Sequence, residues 1–230
     1  MNPIQYVINI FYPRQCLNCK NHLLTNETVL CSTCRHQLPV TGFCNIHDNS
    51  VEDAFKGRVF IEAGTALLFF RKKGISQELI HHLKYKGRQD IGLFFGRWMV
   101  AEFLASDRFK SIDVIVKVPL HPKKKKSRGY NQLTTFAEEL SKGLGVPVID
   151  NVLVKIGKST SQTKKSRFSR FEKIDEKFHL VDTKTLTGKH VLLIDDVLTT
   201  GATLEACANE ILRTPKVKIS IATMVISDHY

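Results

Sequence analysis

Residues 191–203 read V-L-L-I-D-D-V-L-T-T-G-A-T, and their side chains suit the binding of a polyhydroxylated anion. Asp195 and Asp196 can accept hydrogen bonds from neighbouring hydroxyls or join the shell of a hard cation. Thr199, Thr200, Gly201, Ala202 and Thr203 form a turn whose hydroxyls and backbone N–H groups suit an oxyanion, and Gly201 lets the backbone approach it closely. A sugar with a phosphate at one end fits this order of groups. A second cluster offers different chemistry. Cys16 and Cys19, then Cys31 and Cys34, are two C-x-x-C pairs eleven residues apart. Each can present two thiolates from a tight knuckle, and two knuckles complete a tetrahedral zinc site.

The elements that must position these groups follow from periodicity. Four apolar residues before the acids predict a strand buried on both faces. Leu204, Cys207, Ala208, Ile211 and Leu212 recur at helical spacing, so the 199–203 turn falls at a helix N-terminus, where free N–H groups and the helix dipole favour phosphate. Side chains alternate along a strand, so both acids can face one crevice only if the strand ends there and the chain turns. A capping role for the acids is the competing explanation. A nucleotide triphosphatase would need a P-loop, and the first glycine of such a motif before Gly157, Lys158 and Ser159 would fall at position 152, which is Val.

Five of the six cysteines precede residue 45, in a stretch too short and polar to build its own core, and zinc would supply the missing stability. Disulfides would require an oxidising compartment, and a redox C-x-x-C would need only one pair. Cys44 and His47 make a third, weaker knuckle whose metal binding is left open.

A chain of 230 residues has room for one substantial core with a small appendage. Hydrophobic content of 43% and charged content of 24% are those of a globular protein. No apolar run is long enough to span a bilayer, and residues 6–11 lack the basic flank and cleavage site of a signal peptide, so a cytoplasmic location is expected. The formal charge of +12 predicts an anionic partner. Residues 117–128 hold six basic residues and no acid, and residues 155–177 hold eight against three acids.

In chain order, residues 3–11 predict a short helix. Strands are expected over 59–70, 113–118, 152–156, 178–181, 189–194 and 217–226. Helices are expected around Ile75 to Leu83, around Ile91 to Met99 and after Gln132. Basic residues at 83–88 can reach a phosphate or remain solvated. The strand at 113–118 runs through a basic loop containing Arg128 and Gly129 into a helix, a second anion site suited to a pyrophosphate. Residues 157–176 form a polar, basic segment without apolar period, which reads as a lid or a disordered insertion. The alternation predicts an α/β domain with a mostly parallel sheet and ligands at the carboxyl ends of its strands.

The 191–203 stretch resembles the phosphoribosyl pyrophosphate motif of type I phosphoribosyltransferases. Over nearly its whole length the chain resembles the ComF family, phosphoribosyltransferase-like competence proteins. The resemblance is carried by the cysteine-rich N-terminus, L-K-Y-x-G at 83–87, V-P-L at 118–120 paired with R-G-Y-N-Q at 128–132, a flexible loop with Gln162, Ser166 and Arg167, and the acid-pair turn. It implies a type I phosphoribosyltransferase-like sheet flanked by helices over residues 56–230, preceded by a zinc-knuckle module over residues 1–55. It further implies phosphoribosyl pyrophosphate with magnesium as ligand, held by Asp195, Asp196, the 199–203 turn, Arg128, Gly129, Gln162 and Arg167. Natural competence or the use of taken-up DNA is the implied role, with other DNA-uptake proteins as partners. The chain departs from the family at Cys44 and His47, where a third C-x-x-C is usual, and at Lys155 and Lys173, where Arg and Asn are common.

Two activities are compatible with these residues. One is a pentosyl transfer of the glycosyltransferase class, in which an acceptor nitrogen displaces magnesium pyrophosphate; no residue in the sequence stands out as its general base. The other is a non-catalytic module that binds single-stranded DNA through its basic loops and retains the sugar-phosphate pocket.

Overall fold

The computed structural model describes residues 13–120, 126, 128–156 and 177–227. Val191, Leu192, Leu193 and Ile194 are fully buried, as a strand covered on both faces requires. They lie in β5 (His190–Leu198), between β2 (Val114–Lys117) on one side and β6 (Lys218–Ile226) on the other, with β1 (Ala63–Phe69) beyond β6. All three pairings are parallel. Outside β2, residues 147–149 add a short parallel rung, with the Ile115 N–H donating to the Pro147 carbonyl at 2.9 Å and the Ile149 N–H to the Ile115 carbonyl at 2.9 Å.

The ends of these strands determine where the sheet opens. β2 pairs with β5 only as far as Lys117 opposite Ile194, and Pro119 cannot continue a ladder. β6 stays paired with β5 to Ile226 opposite Leu198. Strand β5 therefore runs on through Asp195 and Asp196 instead of ending before them, which corrects the expected boundary. The acids emerge where the sheet has lost its neighbour on the β2 side, and that gap is the crevice.

Among the described residues four amphipathic helices flank the sheet: α3 (Ile75–Tyr85), α4 (Asp90–Leu104), α5 (Thr134–Leu144) and α6 (Ala202–Ile211). Their inward positions, including Leu79 and Leu83, Phe95 and Met99, Phe136 and Leu140, and Leu204 and Ile211, are completely or almost completely buried. Helices α4 and α5 pack without room for side chains at their crossing. A Cβ on Gly96 would stand 2.6 Å from that of Glu139, so glycine is required there by close approach. This contact anchors α5, whose N-terminus follows the R-G-Y-N-Q loop.

β3 (Leu153–Ile156) and β4 (Lys177–Leu180) do not join the parallel sheet. They pair antiparallel with each other, Leu153 opposite Leu180, as a separate ribbon. The rung at 147–149 already covers the β2 edge, so these strands take their backbone partners from one another. The expected lid at 157–176, with Gln162, Ser166, Arg167 and Lys173, and the expected helix at 3–11 lie outside the described residues.

The segment before β1 seals the other edge of the sheet. Thr41 and Phe69 exchange backbone bonds with Leu67 and Pro39 at 3.0 and 2.8 Å, an antiparallel contact that covers β1. A short helix, α1 (Ser32–His36), begins inside the second cysteine knuckle, and α2 (Ser50–Asp53) follows. The buried Asn49 caps α2 by accepting from the Val51 and Glu52 N–H groups, and its amide donates to the Gly64 carbonyl at 2.9 Å.

Candidate functional site

At the carboxyl end of β5 lies a cavity of about 570 Å³ bounded by Lys84, Arg128, Gln132, Asp195, Asp196 and Thr203. Asp196 is 4% exposed and both of its oxygens are engaged. Lys84 Nζ, from the last turn of α3, stands 2.7 Å from Oδ1, and Gln132 Nε2 donates to Oδ2 at 2.7 Å. Arg128 in turn donates to Gln132 Oε1, and its guanidinium lies over the Tyr85 ring, 5.6 Å from the centroid. Tyr130 Oη donates to the Leu83 carbonyl, tying the R-G-Y-N-Q loop to the last turn of α3. The residues of L-K-Y-x-G and R-G-Y-N-Q thus converge on one carboxylate.

Asp195 has a different environment. Its Oδ1 accepts the Asp196 N–H at 2.8 Å, and it also borders the small concavity formed by residues 197–204. Burial, and then the adjacent Asp196 charge, push its pKa up from 3.8 to about 8, against the opposing pull of that N–H and of Lys84 and Lys155. The two acids are therefore unlike: Asp196 is an oriented, ion-paired acceptor, and the Asp195 carboxyl is pushed up by burial and by its neighbour's charge.

The 199–203 turn has the expected form. Gly201 is the N-cap of α6 at φ +74°, a left-handed conformation that favours glycine. The first N–H groups of a helix have no intrahelical partner, so this end can donate to an anion. Two residues from before β1 support the turn from behind. Phe55 is fully buried, and a Cβ on Gly201 would meet its ring at 3.4 Å. Arg58 Nη1 donates to the Thr200 carbonyl at 3.1 Å, and Nη2 pairs with Glu205 in the first turn of α6.

Of the predicted site residues, Asp195, Asp196, Thr199, Thr203 and Arg128 line the one cavity. Thr200, Gly201 and Ala202 shape the adjoining concavity. Gly129, at φ +79°, makes the turn between Arg128 and Gln132. Gln162 and Arg167 lie outside the described residues. Lys155, on β3, lines the cavity, with its Nζ 5.3 Å from the Phe178 ring centroid. Sequence reasoning gave Lys84 no settled partner and no role to Gln132, although both belong to motifs noted there. Nothing local marked Phe55, Arg58 or Glu205.

The ligand atoms of Cys16, Cys19, Cys31 and Cys34 all lie within 4.8 Å of one another, and Cys19 Sγ is 3.6 Å from Cys31 Sγ. Burial works against the Cys16 thiolate, but N–H donors of Cys31, Cys19 and Asn18 outweigh it and bring its pKa down to about 6. Burial pushes Cys34 up to about 12. Four sulfurs with backbone donors directed at one of them fit a tetrahedral zinc ion. Cys44 instead faces the core, with its Sγ 3.3 Å from Thr65 Oγ1, while His47 is exposed.

The parallel sheet flanked by helices, with its acid pair and Thr–Gly turn at the mouth, is a phosphoribosyltransferase-type fold, and residues 134–229 match the phosphoribosyl transferase domain family. Competence protein F of Haemophilus influenzae is 25% identical over 203 residues, covering 84% of this chain and 89% of that protein. DNA utilization protein YhgH of Escherichia coli is 28% identical over 62% of this chain and 63% of its own length. Competence protein ComFC of Bacillus subtilis is 30% identical over 50% of this chain and 45% of its own. The chain thus spans less than two thirds of the latter two relatives. These matches support a ComF-family, phosphoribosyltransferase-like protein. Among the described residues no helix is long and apolar enough to cross a membrane.

Proposed function

We propose that this protein binds phosphoribosyl pyrophosphate with magnesium and transfers the phosphoribosyl group to an acceptor nitrogen, in the service of competence or the use of taken-up DNA. The observation that carries this reading is the meeting of Asp195, Asp196, Arg128 and the two ends of the phosphate turn, Thr199 and Thr203, around one cavity of about 570 Å³. In this reading the 5′-phosphate takes the N–H groups and hydroxyls of residues 199–203. The ribose hydroxyls meet Asp196, held in place by Lys84 and Gln132, and Asp195 beside it. Arg128 faces the pyrophosphate. As the bond from the anomeric carbon to pyrophosphate oxygen breaks and the bond to the acceptor nitrogen forms, the leaving group carries away the electron pair and the nitrogen's proton passes to solvent. Bound magnesium would supply further charge neutralisation on the pyrophosphate.

The residues before position 56 serve, in this reading, as a zinc-stapled module on the transferase domain that follows, and the protein acts in the cytoplasm. Calorimetry with phosphoribosyl pyrophosphate and magnesium tests the central assignment. Binding should occur in the wild type and fall by about tenfold or more in Asp195→Asn/Asp196→Asn, since about 1.4 kcal/mol is a factor of ten. A wild type that binds nothing would sink it.

The charge of +12 favours a second reading, in which the protein is a single-stranded DNA-binding module that keeps the sugar-phosphate pocket and works with other DNA-uptake proteins. Oligonucleotide affinity should then fall with salt at a log–log slope of about −0.7 per phosphate neutralised. A salt-independent affinity would exclude it.

A further inference from the structure

We infer that Arg58 is a positioning residue for phosphate binding at the 199–203 turn: it holds the Thr200 peptide in one orientation and cancels the charge of Glu205. The inference rests on the reading of that turn as a phosphate site. Arg58 is anchored at its own end, where Nη1 donates to the Ala54 carbonyl at 3.0 Å, and the same nitrogen reaches the Thr200 carbonyl at 3.1 Å. In a trans peptide the C=O and the following N–H point in opposite directions. Pinning the Thr200 carbonyl toward Arg58 therefore aims the Gly201 N–H away from it, out of the supported side of the turn. Phe55 behind Gly201 keeps that glycine from retreating into the core.

Charge supplies the second part. Glu205 lies in the first turn of α6, where a carboxylate competes with any bound anion for the positive end of the helix. A dianionic phosphate beside an unpaired Glu205 would be repelled. Arg58 Nη2 pairs with that carboxylate, and both side chains are about one-third exposed, at 36% and 28%. One planar fork thus serves the carbonyl and the carboxylate together, which the single ammonium of Lys cannot reproduce.

The test is calorimetric titration of ribose 5-phosphate into wild type, Arg58→Gln, Glu205→Gln and the double variant, with thermal melts in parallel. Arg58→Gln should weaken binding by about tenfold or more, and adding Glu205→Gln to it should recover about threefold or more of that loss. Arg58→Lys, which keeps the charge but not the fork, should lose less than the Gln variant, and it stands in for Arg58→Gln should that variant not fold. If Arg58→Gln or Arg58→Lys binds as tightly as wild type and only melts earlier, Arg58 is merely structural and the inference fails. An Arg58→Gln variant that Glu205→Gln does not rescue removes the charge argument. A wild type that does not bind ribose 5-phosphate instead overturns the phosphate reading itself, and that failure is visible before any variant is compared.

Discussion

Lys84 Nζ and Asp196 Oδ1 lie 2.7 Å apart, an ion pair between the last turn of α3 and the carboxyl end of β5. The carboxylate side chain is 6% exposed and the lysine 22%, so both charges depend on each other as much as on solvent. Gln132 completes the arrangement on the other oxygen. The pair brings the L-K-Y-x-G helix and the acid-pair strand to one point, and it leaves Asp196 ordered before any ligand arrives.

Lys84→Met should destabilise the protein at neutral pH by about 3–5 kcal/mol, because it strands a buried carboxylate with one neutral partner. Lys84→Met/Asp196→Asn should recover much of that loss. Urea denaturation of the two variants and wild type checks this, and equal stability of both variants would contradict it.

Asp195 makes stability depend on pH in a defined direction. Its folded pKa is about 8 against 3.8 for the free carboxyl, so the native state binds the extra proton between those values. Its contribution is fully present below about pH 4 and is lost as pH rises through about 8. Asp195→Asn should flatten this part of the profile and stabilise the ligand-free protein at high pH. Denaturation midpoints of wild type and variant across the range give the comparison.

Gly201→Ala places a Cβ on a residue at φ +74°. The left-handed conformation costs an L-residue about 1–2 kcal/mol, and the added methyl also meets Phe55. Thermal stability and phosphoribosyl pyrophosphate affinity should fall together, whereas Thr199→Ala, at an exposed position, should lower affinity with little change in melting temperature.

Purified wild-type protein should hold one zinc ion on Cys16, Cys19, Cys31 and Cys34, and Cys16→Ser should lose it. Because residues 39–41 cover the edge of β1, zinc loss should also expose that edge to amide exchange. Metal analysis and hydrogen exchange at residues 63–69 measure the two effects. Unchanged protection in metal-free protein would show that the edge is held without the knuckle.

The strand–turn–helix over residues 190–211 and the paired cysteine knuckles were legible in the amino-acid sequence, since each depends on near neighbours. An apolar run, a Thr–Gly turn and a 3.6-residue period specify one local path, and two C-x-x-C pairs announce their own ligand set. How far β5 continues past its acids was not legible, because the length of pairing with β6 decides it. Nor was the antiparallel pairing of β3 with β4, since an apolar stretch carries no label for its partner. The support of the phosphate turn by Arg58 joins it to Glu205 across a sequence separation of 147 residues. An arginine beside a glycine at residues 57–58 has the same chemistry anywhere on a surface; only the docking of the segment before β1 against α6 turns it into part of the site.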